Sequence, residues 1–364
     1  MSDPLPQDDG MDTATQNHRG TPLQPGNRFT SLHREREMDL EDLDPALEPL
    51  PRTEFLADTT GSVLNRNDSP DLGFDFGLNP YRGCEHGCIY CYARPFHEFL
   101  GWSSGLDFET RILVKHEAPE RLRAEFASSR WKPQVVALSG VTDCYQPVER
   151  RLKLTRRCLE VFAEFRNPVG IITKNALVAR DVDILSRLAA FQAVSVAVSL
   201  TTLDSGLRAI LEPRTSPPAA RLAAIRRLSA AGIPTGVMIA PVIPGINDHE
   251  IPALVSAAAA AGATFASKVV LRLPHSVGPL FEDWLDRHFP DRKEKVLNQI
   301  RSLRGGELND NRFGSRMRGE GPLAEQISKL FGVACRRSGL NSRHPELSTA
   351  GFRRMQPGQG ELFG

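Results

Sequence analysis

Residues 80–92 read PYRGCEHGCIYCY, and they place Cys84, Cys88 and Cys91 on one short stretch. Thiolates gathered in this way bind zinc, iron–sulfur clusters or copper. Structural zinc takes four closed ligands, commonly in two C-x₂₋₄-C pairs. This chain has no second such pair. The nearest other donors are His86 and His97, and Cys144 and Cys158 fall on later elements. A four-iron cluster on three cysteines answers the spacing better. Three irons take one thiolate each and the fourth keeps an open position, as a reactive site requires.

Such a loop has to be held by ordered elements. GFDFGLNPYRG (73–83) alternates as a strand does, and the cysteines follow its end. VVALSG (135–140), VGIITK (169–174), AVSVAVSL (193–200), TGVMIAPVI (235–243) and KVVLRL (268–273) are short runs apolar on both faces, as parallel strands buried on both sides must be. Helical patterns lie between them at 151–165, 181–191, 217–232 and 250–262. The third of these opens on prolines and ends at Gly232, the preferred order for a helix. The expected fold is α/β, a partial (β/α)6 TIM-like barrel of parallel strands. Functional residues then belong on the loops after the strands' carboxyl ends. The three cysteines follow the first strand, Asp143 and Cys144 the second, Lys174 ends the third and Ser199 the fourth. Each has an ordinary reading too: a loop-capping Asp, a lysine snorkelling at the rim, a serine closing a strand.

Three segments are expected. Residues 1–70 are rich in Asp, Pro, Gly and Asn without a sustained period, and read as a disordered acidic tail. Residues 71–300 carry the barrel, and 301–364 form a short basic C-terminal extension. Residues 1–80 hold sixteen Asp/Glu against six Arg, and residues 301–354 hold eleven Lys/Arg against five Asp/Glu. The whole chain of 364 residues carries a net charge of only +1, which gives no case for a generic nucleic-acid or membrane-surface binder. No apolar run reaches the roughly 18 residues of a membrane span. The N-terminus, MSDPLPQDDGMD, lacks a basic-then-apolar signal, so a cytoplasmic location is expected. Nothing in the sequence fixes an oligomeric state.

The C-x₃-C-x₂-C spacing, Tyr90 before the last cysteine, and AGIPTGVMIAPVIPGIND (231–248) together resemble the radical S-adenosylmethionine superfamily. Within it, SGVTDCYQP (139–147), ITKN (172–175), SLTTLD (199–204) and LEPRTSPPAARLAAI (211–225) are similar to the spore photoproduct lyase, or DNA repair photolyase-like, branch. The resemblance implies a [4Fe-4S] cluster on Cys84, Cys88 and Cys91, with S-adenosylmethionine as the ligand of the fourth iron. One electron from an external reductant of flavodoxin or ferredoxin type would cleave the cosubstrate to a 5′-deoxyadenosyl radical that abstracts hydrogen from the substrate. It further implies that Tyr90 meets the adenine, that Asp143 and Lys174 meet the methionine amino and carboxylate groups, and that Ser199 meets the ribose. Many members carry Gly-Gly-Glu where this chain has Ser139, Gly140 and Asp143. The lyase carries a hydrogen-donating cysteine a few residues before this aspartate; here Gly140-Val141-Thr142 stand there and Cys144 follows, making Cys144 the candidate catalytic thiol. The substrate reading is nucleic acid, with arginines of the C-terminal extension on phosphates. The alternatives are a small molecule or peptide substrate, or a non-enzymatic iron–sulfur or zinc protein.

Overall fold

The computed structural model describes residues 19–29, 52–340 and 345–354. Its centre is a seven-stranded sheet. In chain order the strands are β1 (Glu54–Ala57), β2 (Leu64–Arg66), β3 (Phe76–Leu78), β4 (Tyr81–Arg82), β5 (Arg111–Val114), β6 (Val136–Leu138), β7 (Val169–Thr173), β8 (Val194–Ser199), β9 (Thr235–Val242) and β10 (Phe265–Val270). The large sheet runs β10-β9-β8-β7-β6-β3-β2. All its pairs are parallel except β2 on β3. Six parallel strands with intervening helices are the expected partial barrel. Every residue of β8 is buried, which is why its sequence shows no alternation.

The helices α1 (Ala118–Ala127), α2 (Leu154–Phe165), α3 (Val182–Ala189), α4 (Pro218–Ala230) and α5 (Ile251–Ala260) alternate with the strands, followed by α6 (Val277–His288), α7 (Lys293–Leu303) and α8 (Gly321–Ser338). Their apolar stripes close the main core: Leu122 and Phe126 of α1, Leu159 and Phe162 of α2, Leu185 and Leu188 of α3, Ile225 and Leu228 of α4, all buried. A second core of Leu271, Leu273, Leu280, Phe281, Trp284 and Leu297 reaches Cys88, Ile89 and Tyr90.

Three expectations are corrected. The segment 1–70 is not uniformly disordered: β1 pairs parallel with β5, β2 pairs antiparallel with β3, and residues 19–29 run along the cysteine loop. Their polar composition is compatible with order because they fill edges and backbone hydrogen bonds rather than a core. Residues 1–18 and 30–51 of that segment lie outside the described residues. The last strand starts earlier than KVVLRL: Phe265 pairs with Gly236, whose missing side chain makes room for the Phe265 ring, 2.3 Å from where a Cβ would stand. The helix read over 151–165 begins at Leu154, because Lys153 takes a left-handed φ of 51° and separates a short turn, Glu149–Leu152, from α2.

Candidate active site

The cysteine loop leaves β4, which belongs to a small sheet of order β1-β5-β4. Gly83 turns the chain at φ +80°, where a Cβ would stand 2.9 Å from the Arg111 carbonyl. The loop is then pinned residue by residue. Cys84 N donates to Phe108 O (2.8 Å), Glu85 N to Gln146 Oε1 (2.9 Å) and Ile89 N to Leu211 O (3.1 Å). Glu85 in turn accepts from Val148 N (2.7 Å) and pairs with Arg214 (3.2 Å). Cys84 and Cys88 are buried, Cys91 is half-buried, and none is in a disulfide.

Burial pushes all three thiols up, with Asp143 adding to the effect on Cys84 and Glu212 to that on Cys88. Without a cation they stay protonated, and a bound metal reverses that balance. Among the described residues no three His, Cys, Asp or Glu side chains are gathered round a point fit for a single ion. Cys84, Cys88 and Cys91 are three free thiols on one loop, a donor set that a four-iron cluster can use.

Asp143 ties three strand ends together. It accepts from Thr173 Oγ1 (2.8 Å), Lys174 N (2.7 Å) and Tyr145 N (2.9 Å), and lies 3.4 Å from His86 Nδ1. Burial alone would raise its carboxyl; His86 and the hydrogen bonds outweigh that and hold it below the usual carboxylate range. The other face of His86 meets Asn175 Nδ2 at 3.3 Å. His86 thus couples the cysteine loop to the ends of β6 and β7.

Lys174, Ser199 and Tyr90 converge as a second group. Lys174 Nζ donates to Ser199 Oγ (3.0 Å), Thr201 Oγ1 (3.2 Å) and Ala240 O (2.8 Å), and stands 3.1 Å from Glu212 Oε1. Tyr90 donates its hydroxyl to Glu212, and its ring centre lies 5.5 Å from Lys174 Nζ. Arg221 pairs with Glu212 and donates to Ser199 O (2.9 Å). Burial works against the Glu212 charge, but Arg221 and Lys174 hold its carboxyl far below the usual range. So Tyr90, Asp143, Lys174 and Ser199 do stand together at the strands' carboxyl ends. Thr201 and Ala240 complete the group, though sequence reasoning did not single them out; Thr201 lies in the quoted SLTTLD.

Cys144 is different. It is wholly buried in the main core with Tyr81, Tyr145 and Cys158, and its backbone N bonds to Ser139 Oγ at 3.1 Å. Its side chain packs in the main core rather than standing open at the barrel mouth, and Thr155 Oγ1 donates to the Cys144 carbonyl (2.5 Å). Tyr145, whose hydroxyl meets Asp181 at 3.1 Å, is likewise held in the core.

Sequence reasoning missed the support beneath the loop. Arg94, fully buried, grips the Cys88 carbonyl (3.1 Å) and the carbonyls of Ser104 (3.2 Å) and Gly105 (2.9 Å), while Glu109 neutralises it at 2.5 Å. Glu109 also accepts from Gly20 N (2.9 Å). Gly20 lies so close to the loop that a Cβ there would fall 1.8 Å from Gly87 O.

Residues 78–258 match the Radical SAM superfamily. An uncharacterized protein of Mycobacterium tuberculosis (strain H37Rv) is 39% identical over 233 residues, 63% of this chain and 68% of its own length. The chain belongs to the radical S-adenosylmethionine superfamily. It is thus an enzyme of the class that uses a [4Fe-4S] cluster and S-adenosylmethionine. A more distant radical S-adenosylmethionine relative, the Nα-GlyT isomerase of Pseudomonas phage M6, is 24% identical over 285 residues, 78% of this chain and 55% of its own. Among solved structures, spore photoproduct lyase complexed with a dinucleoside spore photoproduct superposes with a TM-score of 0.58 at 15% identity. The match covers 79% of this chain and 81% of the lyase. At that identity the likeness is one of fold. No helix of the described residues is long and apolar enough to cross a membrane.

Proposed function

We propose that Cys84, Cys88 and Cys91 hold the [4Fe-4S] cluster, and that S-adenosylmethionine binds beside it at the rim built from Tyr90, Asp143, Lys174 and Ser199. The substrate in this reading is a nucleic acid, and an external one-electron reductant of flavodoxin or ferredoxin type drives the reaction. When bound, cluster and cosubstrate supply a carbon-centred radical that takes hydrogen from the substrate.

The chain's own residues do the rest. Arg94 holds the Cys88 carbonyl and Glu85 accepts from Val148 N, which fixes the loop that carries the three thiols. Asp143 and His86 lock that loop to the ends of β6 and β7. Lys174 holds its Nζ at the rim, bridged to Glu212 and two hydroxyls, where it would meet the carboxylate of an amino-acid cosubstrate. The apolar residues Ile89, Ile243 and Leu271, buried in one cluster with Cys88 and Tyr90, would keep water from a bound cosubstrate.

The observation that carries this reading is the placement of three unpaired thiols, on a pinned loop, at the carboxyl ends of six parallel strands. The nucleic-acid part rests on the lyase of like fold, whose solved complex holds a dinucleoside. It does not rest on the basic extension. Arg304 there is buried against the carbonyls of Val270 and Leu271, and Arg312 is paired with Asp310 and Glu320.

The test is anaerobic reconstitution. The wild-type protein should take up about four irons and four sulfides and release 5′-deoxyadenosine from S-adenosylmethionine under dithionite. Cys84→Ala, Cys88→Ala and Cys91→Ala should each lose the cluster. Full iron and sulfide in all three variants would refute the ligand assignment. Release of 5′-deoxyadenosine that no oligonucleotide stimulates would refute the substrate.

A further inference from the structure

The sheet has two free edges, β10 and β2, and side chains bridge the opening between them. Asp71 lies on the loop after β2. Its Oδ2 pairs with Arg316 Nε at 2.5 Å and its Oδ1 accepts from Gly314 N at 2.6 Å. Ser69 accepts a further bond from Arg316. On the other side, the Arg316 loop is fastened to β10. Val270 N donates to Met317 O (3.0 Å), and Arg304 clamps the carbonyls of Leu271, Ser315 (3.2 Å) and Arg316 (2.9 Å). The Asp71–Arg316 contact therefore spans the open side of the barrel, and the segments it joins are 245 residues apart.

Behind that contact stands Arg272, just past the end of β10. Its guanidinium lies over the Tyr92 ring at 4.9 Å, and Tyr92, the residue after Cys91, donates its hydroxyl to Gly140 O at 2.5 Å. Among the described residues Arg272 has no carboxylate within ion-pair distance and no hydrogen-bond acceptor. Arg304 holds the carbonyls of Leu271 and Arg316 together and Val270 N bonds Met317 O, so Arg272, Arg316 and Asp71 are carried on adjoining segments beside the cysteine loop. Arg316 also stacks over Phe313, at 4.7 Å, whose ring is 58% exposed. Two guanidiniums, two aromatic faces and a single carboxylate are an unbalanced set. A planar guanidinium fork with no carboxylate of its own matches the oxygens of a phosphate group.

We propose that Arg272 and Arg316 form a binding site for a phosphate group of the substrate, and that Asp71 is the internal occupant which that phosphate displaces as the open side of the barrel admits the ligand. The proposal deepens the function given above and rests on it for the identity of the ligand as substrate. Phosphate on a free nucleotide and phosphate in a strand share the same chemistry, with the exposed Phe313 ring offering a stacking face to either. Asp71 competes for the same guanidinium protons, so its removal should tighten phosphate binding while Arg272 removal weakens it.

The experiment is equilibrium binding to the anaerobically reconstituted protein, with two probes: thymidine monophosphate and a fluorescent tetrathymidylate. For Asp71→Asn the expectation is roughly tenfold tighter binding, the scale of one charge-assisted hydrogen bond set free. For Arg272→Gln it is at least about tenfold weaker binding. Tightening with the mononucleotide alone assigns the site to a small phosphate ester; tightening with both probes assigns it to a strand. Either result supports the site. Equal affinity of wild type and Asp71→Asn for both probes, or undiminished binding by Arg272→Gln, overturns it. Iron content and dithionite-driven release of 5′-deoxyadenosine without any probe are measured on the same samples. Loss of those in the wild type counts against the cluster reading, whereas the affinity ratios decide the phosphate site independently.

Discussion

Glu109→Ala is the change that should most clearly expose how the cysteine loop is supported. Arg94 and Glu109 are both fully buried and 2.5 Å apart, and Arg94 spends its other donors on the carbonyls of Cys88, Ser104 and Gly105. Removing the carboxylate leaves a guanidinium charge uncompensated in the interior, which costs about 3–5 kcal/mol. The Gly20 amide loses its acceptor as well, a further ~1 kcal/mol that does not add in full because the two effects share one group. Taking ~4 kcal/mol as the sum, and about 2.1 cal/mol/K of unfolding entropy per residue, a chain of 364 residues should melt roughly 5–6 °C lower. The assay is a thermal scan at fixed rate, followed by circular dichroism, on protein without iron, with bound iron and sulfide measured separately after reconstitution. Glu117→Ala is the control, because its pair with Arg121 is largely exposed and should be worth no more than about 1 kcal/mol. Arg94→Met with Glu109→Leu should remove the uncompensated charge but not restore stability, since the carbonyls of Cys88, Ser104 and Gly105 and the Gly20 amide then lose their partners. Gly20→Val, which drives a side chain against Gly87 O, should lower iron retention in the same direction. The reasoning fails if Glu109→Ala melts within ~1 kcal/mol of wild type, or if it is destabilised yet retains a full complement of iron.

Two further expectations can be checked on the same material. Cys144→Ala should lose roughly 1–2 kcal/mol of stability through a small core cavity, yet leave iron content and the products of turnover unchanged; altered products would return the thiol to the chemistry. Asp310 is held far below the usual carboxylate range, first by Arg312 and then by Ser315. A depressed folded-state value means that its contribution is complete above the unfolded value of about 3.9 and is lost as pH falls through the folded one. Asp310→Asn should therefore be less stable than wild type at neutral pH, with the gap closing in strong acid; a gap of the same size in urea titrations at both pH values would contradict this.

The cysteine loop and the parallel-stranded scaffold that carries it were legible in the sequence. Three cysteines at a strand end, and five later runs apolar on both faces, are local patterns. Buried parallel strands must be written that way whatever surrounds them. That Tyr90, Asp143, Lys174 and Ser199 would meet at one rim was legible for the same reason, since parallel topology brings every strand's carboxyl end there.

What the sequence left open depends on contacts between distant segments. Arg94 and Glu109 look like surface charges until folding buries both, and Gly20 looks like part of a tail until its amide meets Glu109. The acidic composition of residues 1–70 says only that they cannot form a core of their own. It does not prevent Glu54–Ala57 from pairing with β5, or Asp71 from closing on Arg316, because those contacts draw on backbone hydrogen bonds and charge supplied by the rest of the chain. Cys144 shows the converse: a loop position near the mouth does not set the direction of a side chain, and the turn after Asp143 sends this one into the core. Periodicity is a property of neighbours in the chain, whereas burial, pairing and side-chain direction are settled by which distant groups arrive at the same place.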